Sequence, residues 1–416
     1  MNNSTATTAT SLLVLGGGTA GTMIANKVRK QLPEWSVTVV DKDDVHDYQP
    51  GYLFIPFGMN EPEQIRKTKR PFFADGVNLV MGEIDVVDPE AQKVTLEDGR
   101  VLGYDYLVIA TGTTPRPDQT EGMLGPEWHQ SVTEFYTYDG AIATRAALEK
   151  FTGGRLVVHI TELPFKCPVA PLEFTFLADD YFTKKGIRDQ VEIVFVTPLD
   201  GAFTKPVASR ELGYKIDEKK ITLEPDFMIE SVDQEAKVIR SYDEREVAYD
   251  LLVTVPLNMG ADFVARSGLG DELNYVPVDK HTFRSTQHDT IFALGDASNI
   301  PTSKAGSVAH FSVDVFMDNL KQLAAGEEMT HSFDGHANCF VESGHGKALL
   351  LDFNYDTEPL TGTFPLPKVG PMQLLKESRA NHLGKLAFRH IYWNALLPGR
   401  PLGLKADMSM AGKNTE

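Results

Sequence analysis

The stretch that decides the fold is SLLVLGGGTAGTMIANKVRKQLPEWSVTVVD, residues 11–41. Its apolar start, residues 11–15, leads into the glycine-rich turn Gly16-Gly17-Gly18-Thr19-Ala20-Gly21. A helical pattern covers residues 22–32, and a β-branched run then ends on Asp41. Strand, glycine turn, helix and strand in this order predict a βαβ unit, in which a right-handed crossover joins two parallel strands.

The glycine turn has the spacing G-x-G-x-x-G, which is a weak signal alone but a strong one between a strand and a helix. Gly16 allows the tight turn, Gly18 lets the backbone approach a pyrophosphate, and Gly21 lets helix and strand pack closely. The helix start offers unpaired N–H groups to the same pyrophosphate. An acid at the end of the second strand can accept ribose hydroxyls, which favours FAD or NAD over a 2′-phosphate cofactor. The predicted cofactor-binding residues of this unit are Gly16, Gly18, Thr19, Ala20, Gly21 and Asp41.

Length and charge exclude several classes of protein. A chain of 416 residues with 42% hydrophobic residues fits two or three domains. A net charge of -18 argues against a nucleic-acid partner, which requires clustered Lys and Arg. No apolar run approaches the roughly 20 residues that span a bilayer. Residues 1–10 lack the features of a secretory signal, so we expect a frayed terminus and a protein on the cytoplasmic side.

Further strands are predicted at residues 78–81, 93–96 and 106–110. A second alternation follows, with a strand at 156–160, a helix at 172–185 and a strand at 191–196. Its pattern repeats that of the first βαβ unit.

Two later segments resemble those of two-dinucleotide-binding flavoproteins, the superfamily of FAD-dependent pyridine nucleotide-disulfide oxidoreductases. Residues 106–115, YLVIATGTTP, are similar to the strand and turn that return the chain to the flavin domain. Residues 290–296, TIFALGD, are similar to the second flavin motif, whose Asp reaches the ribityl chain. The resemblance implies an α/β fold of two interleaved Rossmann-like domains and FAD as the cofactor. It adds Thr111, Gly112, Gly295 and Asp296 to the cofactor site.

The second βαβ unit lacks the nucleotide turn of the first. A pyridine nucleotide needs the same pyrophosphate cradle, but residues 161–171 read TELPFKCPVAP, with three prolines and no glycine. Cys167 lies where the second nucleotide turn would be. The chain has one other cysteine, Cys339, and two cysteines are too few for a secreted disulfide scaffold. They are either inert core residues or a working pair.

The chain resembles sulfide:quinone oxidoreductases in FKCPVAP (165–171), GDASNIPTSK (295–304), Asn338-Cys339 and the tail from 375 to 394. The family has a redox-active cysteine pair next to the flavin, which by position is Cys167 and Cys339. Some members have a third cysteine upstream, where this chain has Val132, Thr133 and Tyr136.

The resemblance implies that sulfide adds to a bridge between Cys167 and Cys339, leaving a persulfide and a thiolate that reduces the flavin. We therefore expect at least one cysteine with a depressed pKa. Glu173 matches a carboxylate of some family members and could handle protons. An acid in the first turn of a helix also has an electrostatic reason to be there.

The tail is basic and aromatic. Within residues 383–397, Lys385 and Arg389 share a helical face and apolar residues cover much of the remainder. Such a helix can lie at the lipid headgroups, within reach of a membrane quinone; the pattern alone fits a helix buried against the body equally well. The resemblance favours a helix at the lipid headgroups and implies a peripheral membrane protein. By the same resemblance, Lys304 is a further predicted cofactor-binding residue, and the predicted residues near flavin and quinone are Lys376, Phe340 and Phe364.

The first part of the FAD domain is predicted at residues 1–115 and its second part at 286–330. Residues 116–285 form a second Rossmann-like domain, and residues 331–416 form a C-terminal amphipathic region for quinone and membrane. Alternatives are a type II NADH:quinone dehydrogenase, the flavoprotein subunit of a sulfide dehydrogenase with a cytochrome acceptor, and a flavin-binding sensor with buried cysteines. No metal site is predicted, because His336, Cys339 and His345 match no compact zinc pattern. The sequence does not decide whether the chain forms a homo-oligomer.

Overall fold

The computed structural model describes residues 9–414, so most of the predicted frayed terminus lies outside the described residues. The first ten strands are β1 (Ser11–Leu15), β2 (Ser36–Asp41), β3 (Val45–Asp47), β4 (Arg66–Thr68), β5 (Val77–Met81), β6 (Ile84–Asp88), β7 (Lys93–Leu96), β8 (Val101–Gly103), β9 (Tyr106–Ile109) and β10 (Thr114–Pro115). The next ten are β11 (Val132–Thr133), β12 (Gly154–Ile160), β13 (Val191–Val196), β14 (Thr222–Glu224), β15 (Ile229–Asp233), β16 (Val238–Ser241), β17 (Glu246–Ala248), β18 (Leu251–Val255), β19 (Asn258–Met259) and β20 (Ile291–Ala293).

The remaining strands are β21 (Ala337–Gly344), β22 (Lys347–Phe353), β23 (Gly362–Phe364) and β24 (Met372–Leu374). The helices are α1 (Thr19–Gln31), α2 (Pro62–Ile65), α3 (Tyr138–Lys150), α4 (Ala170–Lys185), α5 (Pro206–Glu218), α6 (Asp262–Arg266), α7 (Gly306–Ala324) and α8 (Arg379–Ile391). A π-helical turn, Tyr392–Leu396, extends α8.

The first βαβ unit forms as predicted. β1 pairs in parallel with β2 on one side and β9 on the other, within a five-stranded parallel sheet of order β20-β9-β1-β2-β5. From Leu12 to Leu15, β1 is buried, which explains why it reads as a continuous apolar run. Because β20 joins this sheet from far along the chain, the second flavin motif lies beside the first.

The second βαβ unit also forms. A five-stranded parallel sheet has the order β11-β18-β12-β13-β14, and α4 connects β12 to β13. The predicted helix begins two residues earlier than expected, at Ala170, because Pro171 occupies its first turn, where a missing N–H costs nothing.

The region after residue 331 has more regular structure than the sequence indicated. It contains a four-stranded sheet of order β21-β22-β24-β23, with α4 packed against β21 and α8 against β22. Within residues 9–414 no helix is both long enough and apolar enough to cross a bilayer.

The end of the described chain is fastened to the β21–β22 hairpin by a buried ionic cluster. Lys413 Nζ lies 2.5 Å from Asp352 Oδ2, and His336 Nε2 lies 2.7 Å from Oδ1 of the same carboxylate. The His336 ring stacks on Phe311 with 4.1 Å between centroids. Burial alone would raise the pKa of Asp352, but its contacts with His336 and Lys413 hold it below the ordinary value.

We expect Lys413→Ala to destabilise the fold by about 3–5 kcal/mol, because it leaves a buried carboxylate without its ammonium partner. Urea unfolding at neutral pH measures this loss. A lowered carboxylate pKa stabilises the fold above the unfolded pKa and ceases to do so as the pH falls, so the difference from wild type should shrink in acid. Lys405→Ala, at an exposed position of the same segment, is the control. Equal stability of the two variants would contradict the prediction.

Candidate functional site

A cavity of about 890 Å³ opens at the carboxyl ends of β1, β2, β9 and β20. Its volume is at the upper end of the roughly 300–1,000 Å³ typical of small-molecule sites, and parallel sheets bind ligands at this edge. Most of the predicted site residues line it. They are Gly16, Gly18, Thr19, Ala20, Asp41, Thr111, Gly112, Cys167, Glu173, Gly295, Asp296 and Lys304.

The glycine turn has the geometry that a pyrophosphate cradle needs. Gly16 has a φ of +97°, and a Cβ on Gly21 would lie 1.8 Å from the Gly16 carbonyl oxygen. A Cβ on Gly18 would meet no atom within 4 Å, so this residue faces the open cavity. The turn therefore closes tightly on one side and leaves room for a ligand on the other.

Asp41 is held in place at the end of β2. Its Oδ2 accepts a hydrogen bond from the Gly17 N–H at 2.5 Å and lies 2.7 Å from Lys69 Nζ. Thr111 Oγ1 is buried without a hydrogen-bond partner among residues 9–414. An orphaned hydroxyl beside a carboxylate and a glycine turn fits the polar groups of a dinucleotide such as FAD.

Lys304 is buried and donates hydrogen bonds to the backbone of the second flavin motif. Its Nζ donates to the carbonyl oxygens of Asp296, at 2.9 Å, and Ser298, at 2.8 Å, and lies 3.8 Å from the centroid of the Tyr275 ring. Burial lowers the pKa of Lys304 to about 8, against the opposing effect of Asp296. Burial also raises the pKa of Asp296.

Cys167 lines the cavity from the loop that replaces the second nucleotide turn. Its N–H donates to the Lys304 carbonyl at 2.7 Å, and its own carbonyl accepts from the Tyr136 hydroxyl at 3.2 Å. The residue has a φ of +52°, which non-glycine residues adopt infrequently. These contacts join the two βαβ units and direct this loop towards the flavin motifs.

Cys339 lies on β21, is buried and does not line the cavity. Burial raises its pKa, and after burial the largest contribution comes from Cys167, so the two sulfurs lie within electrostatic range of each other. Both cysteines are free thiols in this structure.

The prediction that at least one cysteine has a depressed pKa is wrong, because the pKa of each free thiol is raised. Burial raises the pKa of Cys167 to about 12, Glu173 raises it further, and Lys385 opposes both. With Cys339 raised as well, both groups are neutral thiols at neutral pH. At both sulfurs the effect of desolvation outweighs that of the positive charge of Lys385.

Glu173 is in the first turn of α4 and fully buried. Its Oε1 pairs with Lys385 Nζ and accepts the Glu342 N–H at 2.6 Å. The other oxygen, Oε2, has no partner in the described part of the chain. The carboxylate lies beside the cysteines, since it raises the pKa of both.

Lys385 and Arg389 share one face of α8, as predicted, and this face is turned towards the protein. Lys385 is buried against Glu173, and Arg389 Nη1 donates to Asn60 Oδ1 at 2.7 Å. Leu383, Leu386 and Ile391 are exposed instead. The helix is amphipathic, but its polar side faces the protein.

Three predicted residues near flavin and quinone lie outside the cavity lining. Lys376 is exposed, and its carbonyl accepts from Asn381. Phe340 packs beneath α8, close to Gly384, and Phe364 lies on β23. Lys385 is the tail lysine that lines the cavity.

Sequence reasoning missed several cavity-lining residues, among them Tyr392 and His46. The Tyr392 hydroxyl lies 2.7 Å from Thr19 Oγ1 and 2.6 Å from His46 Nε2. Thr19, which was predicted to bind the cofactor, thus also forms a hydrogen bond to the turn that extends α8. No local pattern links residues so far apart in sequence.

The family model of pyridine nucleotide-disulphide oxidoreductases matches residues 10–158. A mitochondrial sulfide:quinone oxidoreductase of Dictyostelium discoideum is 27% identical over 403 residues, 95% of this chain and 87% of that protein. The protein of the same name from Mus musculus is 25% identical over 93% of this chain and 86% of its own length. This chain is related to the sulfide:quinone oxidoreductases.

The fold agrees with that relationship. The crystal structure of the sulfide:quinone oxidoreductase from Aquifex aeolicus matches with a TM-score of 0.81 at 20% identity, covering 95% of this chain and 94% of that chain. The predicted α/β fold with two Rossmann-like units is confirmed. The prediction of FAD as the cofactor is confirmed as well, by the family match and the sequence relatives.

We expect Gly21→Ala to abolish FAD binding, because the new Cβ would force the Gly16 carbonyl out of the turn. The purified variant should lack the visible absorbance of bound flavin. Gly213→Ala is the matched control, since a Cβ at this position of α5 meets no atom within 4 Å. A full complement of flavin in Gly21→Ala would show that the turn does not hold the cofactor.

Proposed function

We propose that this protein is a sulfide:quinone oxidoreductase in which Cys167 and Cys339 form the redox-active pair. The observation that carries the proposal is that one cavity contains a single glycine cradle and, in place of a second, the Cys167 loop. A nicotinamide donor would need a second cradle of flexible backbone, which three prolines remove. Sulfide is small enough to reach the cysteines without a second cradle.

The cysteine chemistry balances with the groups present. Hydrosulfide forms a bond to one sulfur of a Cys167–Cys339 bridge, the bridge S–S bond breaks, and the other cysteine leaves as a thiolate. Lys385 favours this thiolate, because its ammonium lowers the pKa of both cysteines. FAD, when bound, accepts two electrons from the reduced cysteine site and passes them to quinone.

The thiolate, not the thiol, is the electron donor, so the raised pKa values of the two cysteines call for a base near the sulfurs. Glu173 supplies a carboxylate next to both sulfurs and has one oxygen without a partner within residues 9–414. It is the acceptor that we assign to the proton of the incoming sulfide.

We also propose that the outer face of α8 contacts the membrane. Leu383 is 63% exposed, and Leu386 and Ile391 continue the same face at helical spacing. The loop between β23 and β24 adds Leu366 and Val369, the latter 75% exposed. We call these five residues the apolar face. Large apolar side chains gathered at one surface, next to exposed Lys368 and Arg379, are typical of an interfacial segment.

Cys167→Ser and Cys339→Ser should each lose sulfide-dependent quinone reduction by at least about 100-fold, since each removes one atom of the bridge. The assay follows quinone reduction by sulfide, with flavin content as the control for folding. NADH should not replace sulfide in the wild type. Wild-type activity in either variant would overturn the cysteine mechanism, and rapid NADH oxidation would favour an NADH:quinone dehydrogenase.

Leu383→Glu combined with Leu386→Glu should weaken co-sedimentation with vesicles of mixed zwitterionic and anionic phospholipid, because charge replaces exposed apolar surface on α8. Flavin reduction by sulfide in solution should be unchanged. Tyr242→Glu is the control, as Tyr242 is a 72% exposed aromatic side chain in the turn between β16 and β17, which belong to a different sheet. Equal vesicle binding by both proteins would argue against the apolar face as the contact.

A further inference from the structure

Three side chains from distant parts of the chain meet at the start of α1. The Tyr392 hydroxyl lies 2.7 Å from Thr19 Oγ1 and 2.6 Å from His46 Nε2. Thr19 is the first residue of α1, His46 belongs to β3, and Tyr392 opens the π-helical turn after α8. All three line the large cavity. The sequence assigns Thr19 to the cofactor but gives no role to Tyr392 or His46.

The Tyr392 hydroxyl has both of its neighbours inside this group. Burial, and to a lesser extent Lys69, lower the pKa of His46 to about 4 against a contribution from the Gly17 backbone, so the ring is neutral at neutral pH. A neutral imidazole has one donor and one acceptor nitrogen, and a phenol has one proton to donate. Tyr392 therefore donates to one neighbour and accepts from the other, whichever nitrogen of His46 carries the proton. Removing this one hydroxyl breaks both hydrogen bonds.

These side chains gather where the glycine turn enters α1. The first N–H groups of a helix have no partner within the helix and attract anions such as a pyrophosphate. The Thr19 side chain lines the cavity at this helix start, next to Gly18. His46 is 3% exposed, and its Nδ1 has no hydrogen-bond partner within residues 9–414. A buried ring nitrogen that lines a cavity and lacks a protein partner indicates a polar ligand.

Tyr392 belongs to a segment that forms one wall of the cavity. We call α8 and its π-helical turn, residues 379–396, the C-terminal arm. The arm residues that line the cavity are Lys385, Phe388, Tyr392 and Leu396. They recur every three or four positions and therefore share one side of the arm. The arm thus borders the same space as the glycine turn.

The arm is attached to α1 at a second point as well. Asn26 of α1 donates from Nδ2 to the Leu397 carbonyl oxygen at 2.9 Å. Trp393 packs on Phe72 with 5.0 Å between the ring centroids. Neither contact uses the Tyr392 hydroxyl, so we expect the arm to stay docked when that hydroxyl alone is removed. Tyr392→Phe therefore tests the hydrogen bonds rather than the fold.

We propose that Tyr392 and His46 belong to the FAD site, where they hold the Thr19 hydroxyl at the pyrophosphate end of the cavity. Tyr392 is a positioning residue, because it acts through Thr19. Since the arm supplies Tyr392, FAD binding stabilises the docked arm, and the docked arm strengthens FAD binding by the same factor. The three side chains need FAD as the cofactor but no step of the sulfide chemistry, so their role stands apart from the proposed function.

The first test measures the dissociation constant of FAD. Flavin-loaded full-length protein is diluted, and the fluorescence of the released FAD is followed. Tyr392→Phe should raise the dissociation constant by about tenfold, because two buried hydrogen bonds are lost at the cavity wall. Tyr104→Phe is the matched control and should bind FAD as the wild type does, since the Tyr104 hydroxyl is buried without a partner within residues 9–414. A wild-type dissociation constant in Tyr392→Phe would overturn the proposal.

A double-mutant cycle shows whether Tyr392 acts through Thr19. Thr19→Val removes the hydroxyl at nearly constant volume, whereas Thr19→Ser keeps it. Thr19→Val should weaken FAD binding, and Thr19→Ser should remain close to the wild type. The double variant Thr19→Val, Tyr392→Phe should bind FAD within about twofold of Thr19→Val alone. Fully additive losses would show that the two residues act independently and would contradict the proposal.

Hydrogen exchange separates this role from a purely structural one. Removal of FAD from the wild type should accelerate amide exchange in residues 379–396 by about tenfold. The helix α5, none of whose residues line the cavity, is the internal reference. In Tyr392→Phe the same removal should have a smaller effect, because the connection to Thr19 is already broken. Exchange in the arm that does not respond to FAD in the wild type would refute the coupling.

Discussion

The buried ion pair of Glu173 and Lys385 is the contact on which the arrangement of the site depends. It joins α4 of the second βαβ unit to the C-terminal helix α8, and through the Glu342 N–H it also fixes the edge of β21. Burying two charges is costly, and only close pairing with added hydrogen bonds offsets that cost. The pair therefore fits a single relative placement of the three elements. That placement sets the Cys167 loop, which precedes α4, within electrostatic range of Cys339 on β21.

The cavity is shared by parts of the chain that are far apart in sequence. The parallel sheet containing β1 and β20 supplies both flavin motifs, and the proline-rich loop before α4 closes the other side. The end of α8 is attached to the same place by the hydrogen bond between Tyr392 and Thr19. Hence the helix that we propose to contact the membrane is held directly by the first turn of the helix that we propose to bind the cofactor.

The orientation of α8 shows where sequence reasoning reached its limit. Helical spacing correctly grouped Lys385 with Arg389 and indicated an amphipathic helix. It could not say which side faces the protein, because a basic side is ordinarily solvated and only the partners Glu173 and Asn60 make it an inner side here. The same limit applies to Lys376, which the family resemblance placed at the site and which lies exposed outside the cavity, while Lys385 lines it.

The sequence by itself determined the two βαβ units, the glycine cradle for FAD and the replacement of the second cradle by Cys167. These are local features, since the spacing of glycines, prolines and apolar residues dictates them within a few tens of residues. Only the tertiary structure decided the protonation of the cysteines and the pairing of Glu173 with Lys385. Those properties depend on burial and on the charges that distant segments bring together, and neither can be read from spacing along the chain.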